Sequence, residues 1–398
     1  MKILIDWTDT YISKANSGIQ RVIKNILKHK HIIEKQTKIE VKPVIFVNNL
    51  AISIDYKHKS VSKNIISMAR KYLTKHKNLY YQASKIYKKL SKYSLDTLFY
   101  LIFGEKISID KSDILLLADA FWSFPYPDNF INLIKNASLV LFLHDIIPLT
   151  DPDTQPEYRV EMFRKTILDA IIYSKLIITT TNSEKNIIES FLKSKNIERP
   201  IYVVPLGVDI KLVKNPAKPS TDIDFDNFYL MVGTIEPRKN HMLVLKAFHK
   251  MWEEGESSTL VIVGRVGWKY EEVLNFINTS PFKNKKLFFL EEVKDEELEY
   301  LYQHTKALIM ASYREGFGLP VVEAMVRGVP VIASDIPVFR EIASDYPTYF
   351  DPYDEDSLIS AIESSKHLER KPANIKLNTW EDTTRAIANI IKKHFGII

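Results

Sequence analysis

Thirteen consecutive residues concentrate the groups best suited to chemistry: Ser312-Tyr313-Arg314-Glu315-Gly316-Phe317-Gly318-Leu319-Pro320-Val321-Val322-Glu323-Ala324. An apolar run ends at Ala311, two glycines follow, and Pro320 falls where the first turn of a helix tolerates proline. The amides of Gly316, Phe317 and Gly318 then open a helix N-terminus, a position that favours a bound anion such as phosphate. Glu323 lies about one turn into that helix and suits a ribose diol, whereas Glu315, ahead of the loop, suits sugar hydroxyls. A plain strand–loop–helix turn with two solvated acids fits the same residues.

A second strand-loop-helix segment runs from Gly233 to Asn240 and carries Arg238 and Lys239. Two cations beside a helix start make a diphosphate clamp, lysine as a point charge and arginine as a fork; the alternative is a surface basic pair. His144 and Asp145 end an apolar run, Leu141-Phe142-Leu143. Strand C-termini are where open α/β sheets bind ligands, so His144 is placed to face a transferred group or an acceptor. It serves equally as a structural hydrogen-bonder. Gly18 opens the first long helical stretch and would let a phosphate approach closely. The surrounding residues lack the spacing of a dinucleotide-binding glycine fingerprint. Gly264, in Val263-Gly264-Arg265-Val266-Gly267-Trp268, follows another apolar run and suits the wall of a base pocket. Asp151/Asp153 and Asp222/Asp224 have the form of metal-binding pairs, but neither pair directly follows a hydrophobic strand, and they read as loop acids.

The elements that must hold these groups alternate between short β-rich runs and amphipathic helical stretches, the pattern of parallel α/β sheets. Strands are expected at 2–6, 41–47, 113–118, 138–143, 176–181 and 201–204. A second set is expected at 229–233, 259–264, 287–290, 307–311, 329–333 and 348–350. Helices are expected at 19–29, 156–173, 183–192, 242–253, 294–303 and 319–326. A breaker-rich exit after Val204, followed by a polar stretch at 215–221, marks a boundary. The expected units are 1–205, 206–379 and a terminal helix, 380–398, with Ala386, Ile387, Ile390 and Ile391 on its apolar face and packing back on the first unit. The 398 residues suffice for two such domains, and the chain's 11 glycines are few enough that those in the loops should mark special backbone.

Together the motifs resemble the retaining family 4 glycosyltransferases of the GT-B fold. The resemblance rests on Glu315 through Glu323, which fit an E-x7-E spacing, on Val232 through Asn240, and on Pro330 through Ser334. Leu143 through Pro148 and Trp380-Glu381 look similar to bacterial mannosyl- and rhamnosyltransferases that build surface polysaccharides. It implies two Rossmann-like parallel-sheet domains facing a central cleft. It also implies a metal-independent transfer from a nucleotide-sugar, GDP-mannose favoured, to a saccharide or polyprenyl-diphosphate-linked acceptor. By the resemblance, Lys239 binds the donor diphosphate with Arg238 beside it, Glu323 holds the ribose and Glu315 the sugar. The amides of Gly316, Phe317 and Gly318, with Leu319 after them, hold phosphate or sugar. His144 faces the sugar, and Gly18 borders the diphosphate. Many members carry arginine where Thr234 stands, so either Arg238 supplies a second charge or the site uses one cation fewer.

The formal charge of +6 is unevenly spread. Lys57 to Leu95 holds eleven Lys or Arg and no acid, which leaves the remainder at −5. Apolar residues there recur at helical spacing, giving a basic amphipathic helix pair with interfacial tyrosines, suited to an anionic membrane surface. A solvated helical insertion packing on the first domain is the other reading. The acidic remainder excludes nucleic acid as a partner. With no cysteine, an acid at Asp6 where a signal peptide needs apolar residues, and no run approaching a membrane span, a cytoplasmic protein, peripheral at the inner membrane face, is expected. Two other classes compete with a transferase: a GT-B-fold sugar-nucleotide epimerase, and a catalytically degenerate assembly partner.

Overall fold

The computed structural model describes residues 1–13, 18–47, 50–54, 104–122, 134–208 and 215–397. The basic segment 57–95 lies outside them. The first domain contains β1 (Ile3–Asp6), α1 (Thr8–Ser13), α2 (Gly18–Lys28), α3 (Lys30–Thr37), β2 (Val41–Val47), β3 (Leu50–Ser53), β4 (Glu105–Ile107) and β5 (Ile114–Leu117). It continues through β6 (Ser138–Phe142), α4 (Ile147–Thr150), α5 (Glu157–Tyr173), β7 (Ser174–Thr179), α6 (Asn182–Ser194) and β8 (Ile201–Val203). The second contains β9 (Phe228–Val232), α7 (His241–Glu253), β10 (Thr259–Val263), α8 (Glu271–Thr279), β11 (Leu287–Leu290) and α9 (Asp295–His304). After these come β12 (Ala307–Met310), α10 (Leu319–Val326), β13 (Val331–Ser334), α11 (Pro337–Ala343), β14 (Thr348–Phe350) and α12 (Glu355–Ser365). The terminal helix is α13 (Trp380–His394).

The second sheet has the order β11-β10-β9-β12-β13-β14, parallel throughout. Its strands are apolar along their length because helices cover both faces. The first sheet runs β4-β3-β2-β1-β5-β6-β7-β8. Here the expectation of a purely parallel sheet needs correction: β3 pairs antiparallel with β2, and β4 antiparallel with β3. Both strands are short, and the exposed Glu105 and Lys106 of the edge strand β4 hide it from a search for apolar runs.

Small boundary shifts have local causes. β13 begins at Val331 rather than Val329 because Pro330 has no amide to donate. β7 stops at Thr179 because Thr181 caps α6, its hydroxyl accepting from the Glu184 amide at 3.1 Å.

Strand order places the sites. In the second sheet, β9 is followed through α7 by β10 on one side, while β12 lies on the other. In the first, β1 is flanked by β2 and β5. Each is a topological switch point, where the loops at the strand C-termini part and leave a crevice. The loop after β9 carries Arg238 and Lys239, and that after β12 carries Glu315. The segment after β1 leads to Gly18.

The terminal helix crosses back. Thr379 and Asp382 cap α13 reciprocally, and Trp380, Ile387, Ala388 and Ile391 enter the first domain's core beside Ile33 and Ile26. Burying each isoleucine side chain contributes about 1.5–3 kcal/mol. Ala386 and Ile390 are only partly buried. The link between the domains runs against the start of α13: the Val208 amide donates to the Asn378 carbonyl at 2.8 Å.

Candidate active site

Glu315 is the centre of a buried charge cluster. One carboxylate oxygen accepts from the Lys239 ammonium and from Ser312 Oγ, the latter at 2.7 Å. The other accepts from Arg238 Nη1 at 2.7 Å. Arg238 also binds the Arg314 carbonyl at 3.1 Å and pairs through Nε with Glu236 at 2.7 Å. Burial alone would raise the Glu315 pKa, but Arg238 and Lys239 overcome it and hold the acid at about 2. Glu236, with weaker compensation, is pushed up by burial. Arg238 stays protonated: burial opposes its charge, and Glu315, Glu236 and Asp145 more than restore it.

Both cations are therefore already neutralised by protein carboxylates. Arg238 is held by two acids rather than standing free as a second diphosphate cation. Thr234 offers no replacement, since its methyl group lies against Gly267, where a Cβ would be only 2.6 Å away.

Gly318 caps α10 from the left-handed region at φ 99°, with no side-chain cap. Among the described residues, no group accepts a hydrogen bond from the amides of Gly316, Phe317 or Gly318. The side chains of Phe317 and Leu319 turn away from that amide row into the first domain's core. Gly316 meets the first domain at backbone distance. A Cβ there would stand 2.7 Å from the His144 carbonyl oxygen and 3.2 Å from the Asp145 side chain. Only glycine permits that approach.

Glu323 is also occupied. Its two oxygens bind the guanidinium of Arg21, on α2, and the hydroxyl of Tyr302 at 3.1 Å. Burial and Glu323 together lift the Tyr302 hydroxyl far above its ordinary range, so it remains a donor. Gly18, at the start of α2, faces the same gap: a Cβ there would lie 3.8 Å from Leu319 Cδ1.

His144 is buried, and its Nε2 binds the Ala118 carbonyl at 2.8 Å. Since a carbonyl accepts, Nε2 carries the hydrogen, and burial lowers the ring's pKa, keeping it neutral. Nδ1 is then an acceptor with no partner among the described residues. The ring thus does structural work through one nitrogen and leaves the other for a hydroxyl.

Gly264 packs on the adjacent loop, where a Cβ would stand 1.9 Å from the Gly233 carbonyl oxygen. Trp268 crosses to the first domain, donating through Nε1 to the Thr154 carbonyl at 2.9 Å beneath the Arg159 guanidinium, 4.4 Å from its ring. Asp151, one of the loop acids, faces Arg314 Nε at 3.5 Å.

Arg21, Glu236 and Arg314 lie within the motifs, yet their spacing assigned them no role, and Tyr302, Thr180 and Glu184 lie outside every motif; the fold brings all six here. Polar residues such as Gln20 and Glu184 inside otherwise amphipathic helices were the available signal.

A pair of Rossmann-like domains whose switch points face one another across a central cleft is the architecture of the GT-B fold. Residues 214–381, most of the second domain, match the family described as Glycosyl transferases group 1. The chain is 30% identical over 348 residues to the serotype-specific mannosyltransferase WbdA of Escherichia coli, an alignment covering 80% of this chain and 42% of WbdA. It thus spans less than half the length of that relative. It is 32% identical over 247 residues to the O-antigen chain mannosyltransferase RfbU of Salmonella typhimurium, covering 61% of this chain and 63% of RfbU. Among solved structures, the lipopolysaccharide outer core galactosyltransferase WaaB aligns over 98% of this chain and 100% of its own, with TM-score 0.55 and 17% identity. Sucrose-phosphate synthase from Thermosynechococcus elongatus aligns over 99% of both chains, with TM-score 0.60 and 14% identity.

Proposed function

We propose that this chain is a retaining glycosyltransferase that needs no metal and acts in bacterial surface polysaccharide biosynthesis. It moves mannose from GDP-mannose to a saccharide or polyprenyl-diphosphate-linked acceptor. The observation that carries this reading is the Lys239–Glu315–Arg238 cluster, set at the switch point of the second sheet beside the uncapped start of α10. The named relatives support mannose and O-antigen chemistry.

On this reading the donor diphosphate displaces Glu315 from Lys239 and takes the amides of Gly316 to Gly318. Glu323 exchanges Arg21 for the ribose hydroxyls, and Glu315 is released toward the sugar. The bond from the anomeric carbon to the phosphate oxygen breaks while the acceptor oxygen bonds to that carbon on the same face. The acceptor proton passes to the leaving phosphate oxygen. Lys239 and the helix N-terminus stabilise the growing negative charge, and Nδ1 of His144 accepts from a sugar hydroxyl. No cofactor beyond the donor enters this scheme.

No helix among the described residues is long and apolar enough to cross a membrane. The basic segment 57–95 supports a peripheral attachment to an anionic inner-membrane face, where the acceptor lipid would lie. The decisive experiment is a thermal-shift panel of GDP-, UDP-, dTDP- and ADP-sugars, followed by NMR of the product. Stabilisation by GDP-mannose and formation of an α-linked mannoside are expected. Donor conversion without an acceptor would instead indicate an epimerase, and failure to bind any nucleotide would remove the enzymatic reading.

A further inference from the structure

Glu184, the third residue of α6, belongs to no motif discussed above. Its side chain is fully buried; the Ile146 amide faces the carboxyl group, but neither oxygen makes a hydrogen bond of good geometry with any described residue. The cation facing it comes from the other domain: Arg314 Nη2 is 3.4 Å away. Asp145, after β6, and Asp151, after α4, face it from its own domain.

Arg314 immediately precedes Glu315, and its carbonyl is held by the same Arg238 that grips Glu315. On the other side of Glu315, the Gly316 carbonyl accepts from Thr180 Oγ1 at 2.7 Å. The start of α6 therefore holds the Glu315 loop from both flanks, by Glu184 through Arg314 and by Thr180 through Gly316. Glu341, on α11, reinforces the contact, accepting from the amides of Asn182 and Ser183 at 2.6 and 2.9 Å.

We propose that Glu184 is a positioning residue for glycosyl transfer, acting across the domain interface through Arg314 to set Glu315 against the donor sugar when the two domains are closed. This rests on the glycosyltransferase reading. An acid at such a place is costly when ionised, and burial pushes its pKa to about 8, with Asp145 and Asp151 adding to the shift and Arg314 opposing it. Below that pH it is a neutral group whose carbonyl oxygen can accept from Arg314. Above it, a third carboxylate forms beside Asp145 and Asp151, and the closed arrangement weakens.

The test uses the full chain, with GDP binding measured by calorimetry and mannosyl transfer from GDP-mannose measured separately. Glu184→Ala, Arg314→Ala and their combination should each lower kcat by roughly tenfold, the double variant losing no more than either single one. GDP affinity should stay within about threefold of the native protein, because these residues touch no part of the nucleotide. Glu184→Gln, which keeps the accepting oxygen, should restore turnover near neutral pH and lack the decline in kcat expected of the native protein as pH rises through about 8. Additive losses, or a decline that persists unchanged in Glu184→Gln, would overturn the inference. Absence of GDP binding by the native protein would overturn the functional reading instead.

Discussion

Arg21, on α2 of the first domain, and Glu323, on α10 of the second, form an ion pair across the cleft, 302 positions apart in sequence. Glu323 is buried while Arg21 is partly solvent-exposed, its side chain 38% accessible. The pair keeps occupied the carboxylate that we propose turns to the ribose when donor binds.

Arg21→Ala should therefore destabilise the protein, leaving a buried acid with Tyr302 alone. With Arg21 partly in water, the loss should be about 1–2 kcal/mol rather than the 3–5 of a fully buried pair. Thermal denaturation reads this as a drop of a few degrees. Adding Glu323→Gln should recover most of it, because the uncompensated charge is gone. If Arg21→Ala leaves the melting temperature unchanged, the pair contributes nothing across the gap.

Glu315 is the internal counter-anion of Lys239 and Arg238. Glu315→Gln frees Lys239 for a diphosphate while Arg238 keeps its pairing with Glu236, so GDP should bind roughly tenfold more tightly while mannosyl transfer falls by a hundredfold or so. Lys239→Ala should weaken GDP binding by about tenfold or more. Calorimetry and turnover separate the two effects, and weaker GDP binding by Glu315→Gln would contradict the competition between carboxylate and phosphate.

The two buried acids give opposite pH dependences. Glu315 has its pKa depressed from 4.5 to about 2, so its stabilisation is present above 4.5 and is lost as pH falls through 2. Glu184 has its pKa raised from 4.5 to about 8, so its contribution is present below 4.5 and declines as pH rises to 8. Melting temperatures measured from pH 2 to 9 should show Glu184→Gln gaining on the native protein between pH 4.5 and 8 and then levelling off. The advantage of the native protein over Glu315→Gln should shrink only toward the acid end. Parallel curves would remove both assignments.

Gly316→Ala places a methyl group 2.7 Å from the His144 carbonyl, a backbone atom that cannot swing aside. The domains must then separate slightly. Turnover should fall by about a hundredfold, the scale expected of a displacement near 1 Å, while GDP binding to the second domain is retained. An unaffected kcat would show that closure at this contact is not needed for transfer.

Much of the architecture was legible because it is local. Continuous apolar runs mark strands covered on both faces and amphipathic stretches of period 3.6 report the buried face of a helix, and Val41–Val47, Leu287–Leu290 and Leu319–Val326 emerge with the expected bounds. The E-x7-E spacing likewise needs only a loop and one turn of helix to place Glu315 and Glu323. The antiparallel edge escaped because β4 is too short and charged to show a period.

What the sequence by itself determined is the set of strand–loop–helix units and the residue types at their mouths. Only the tertiary structure decided which acid meets which cation. Glu315 finds Arg238 from 77 positions away, Glu323 finds Arg21 rather than a free cleft, and Arg314 reaches Glu184 in the other domain. Periodicity carries no information about such partners. Strand order around each switch point and the docking of one domain on the other bring them within range, and a charge excluded from water must take the opposite charge that the docking supplies.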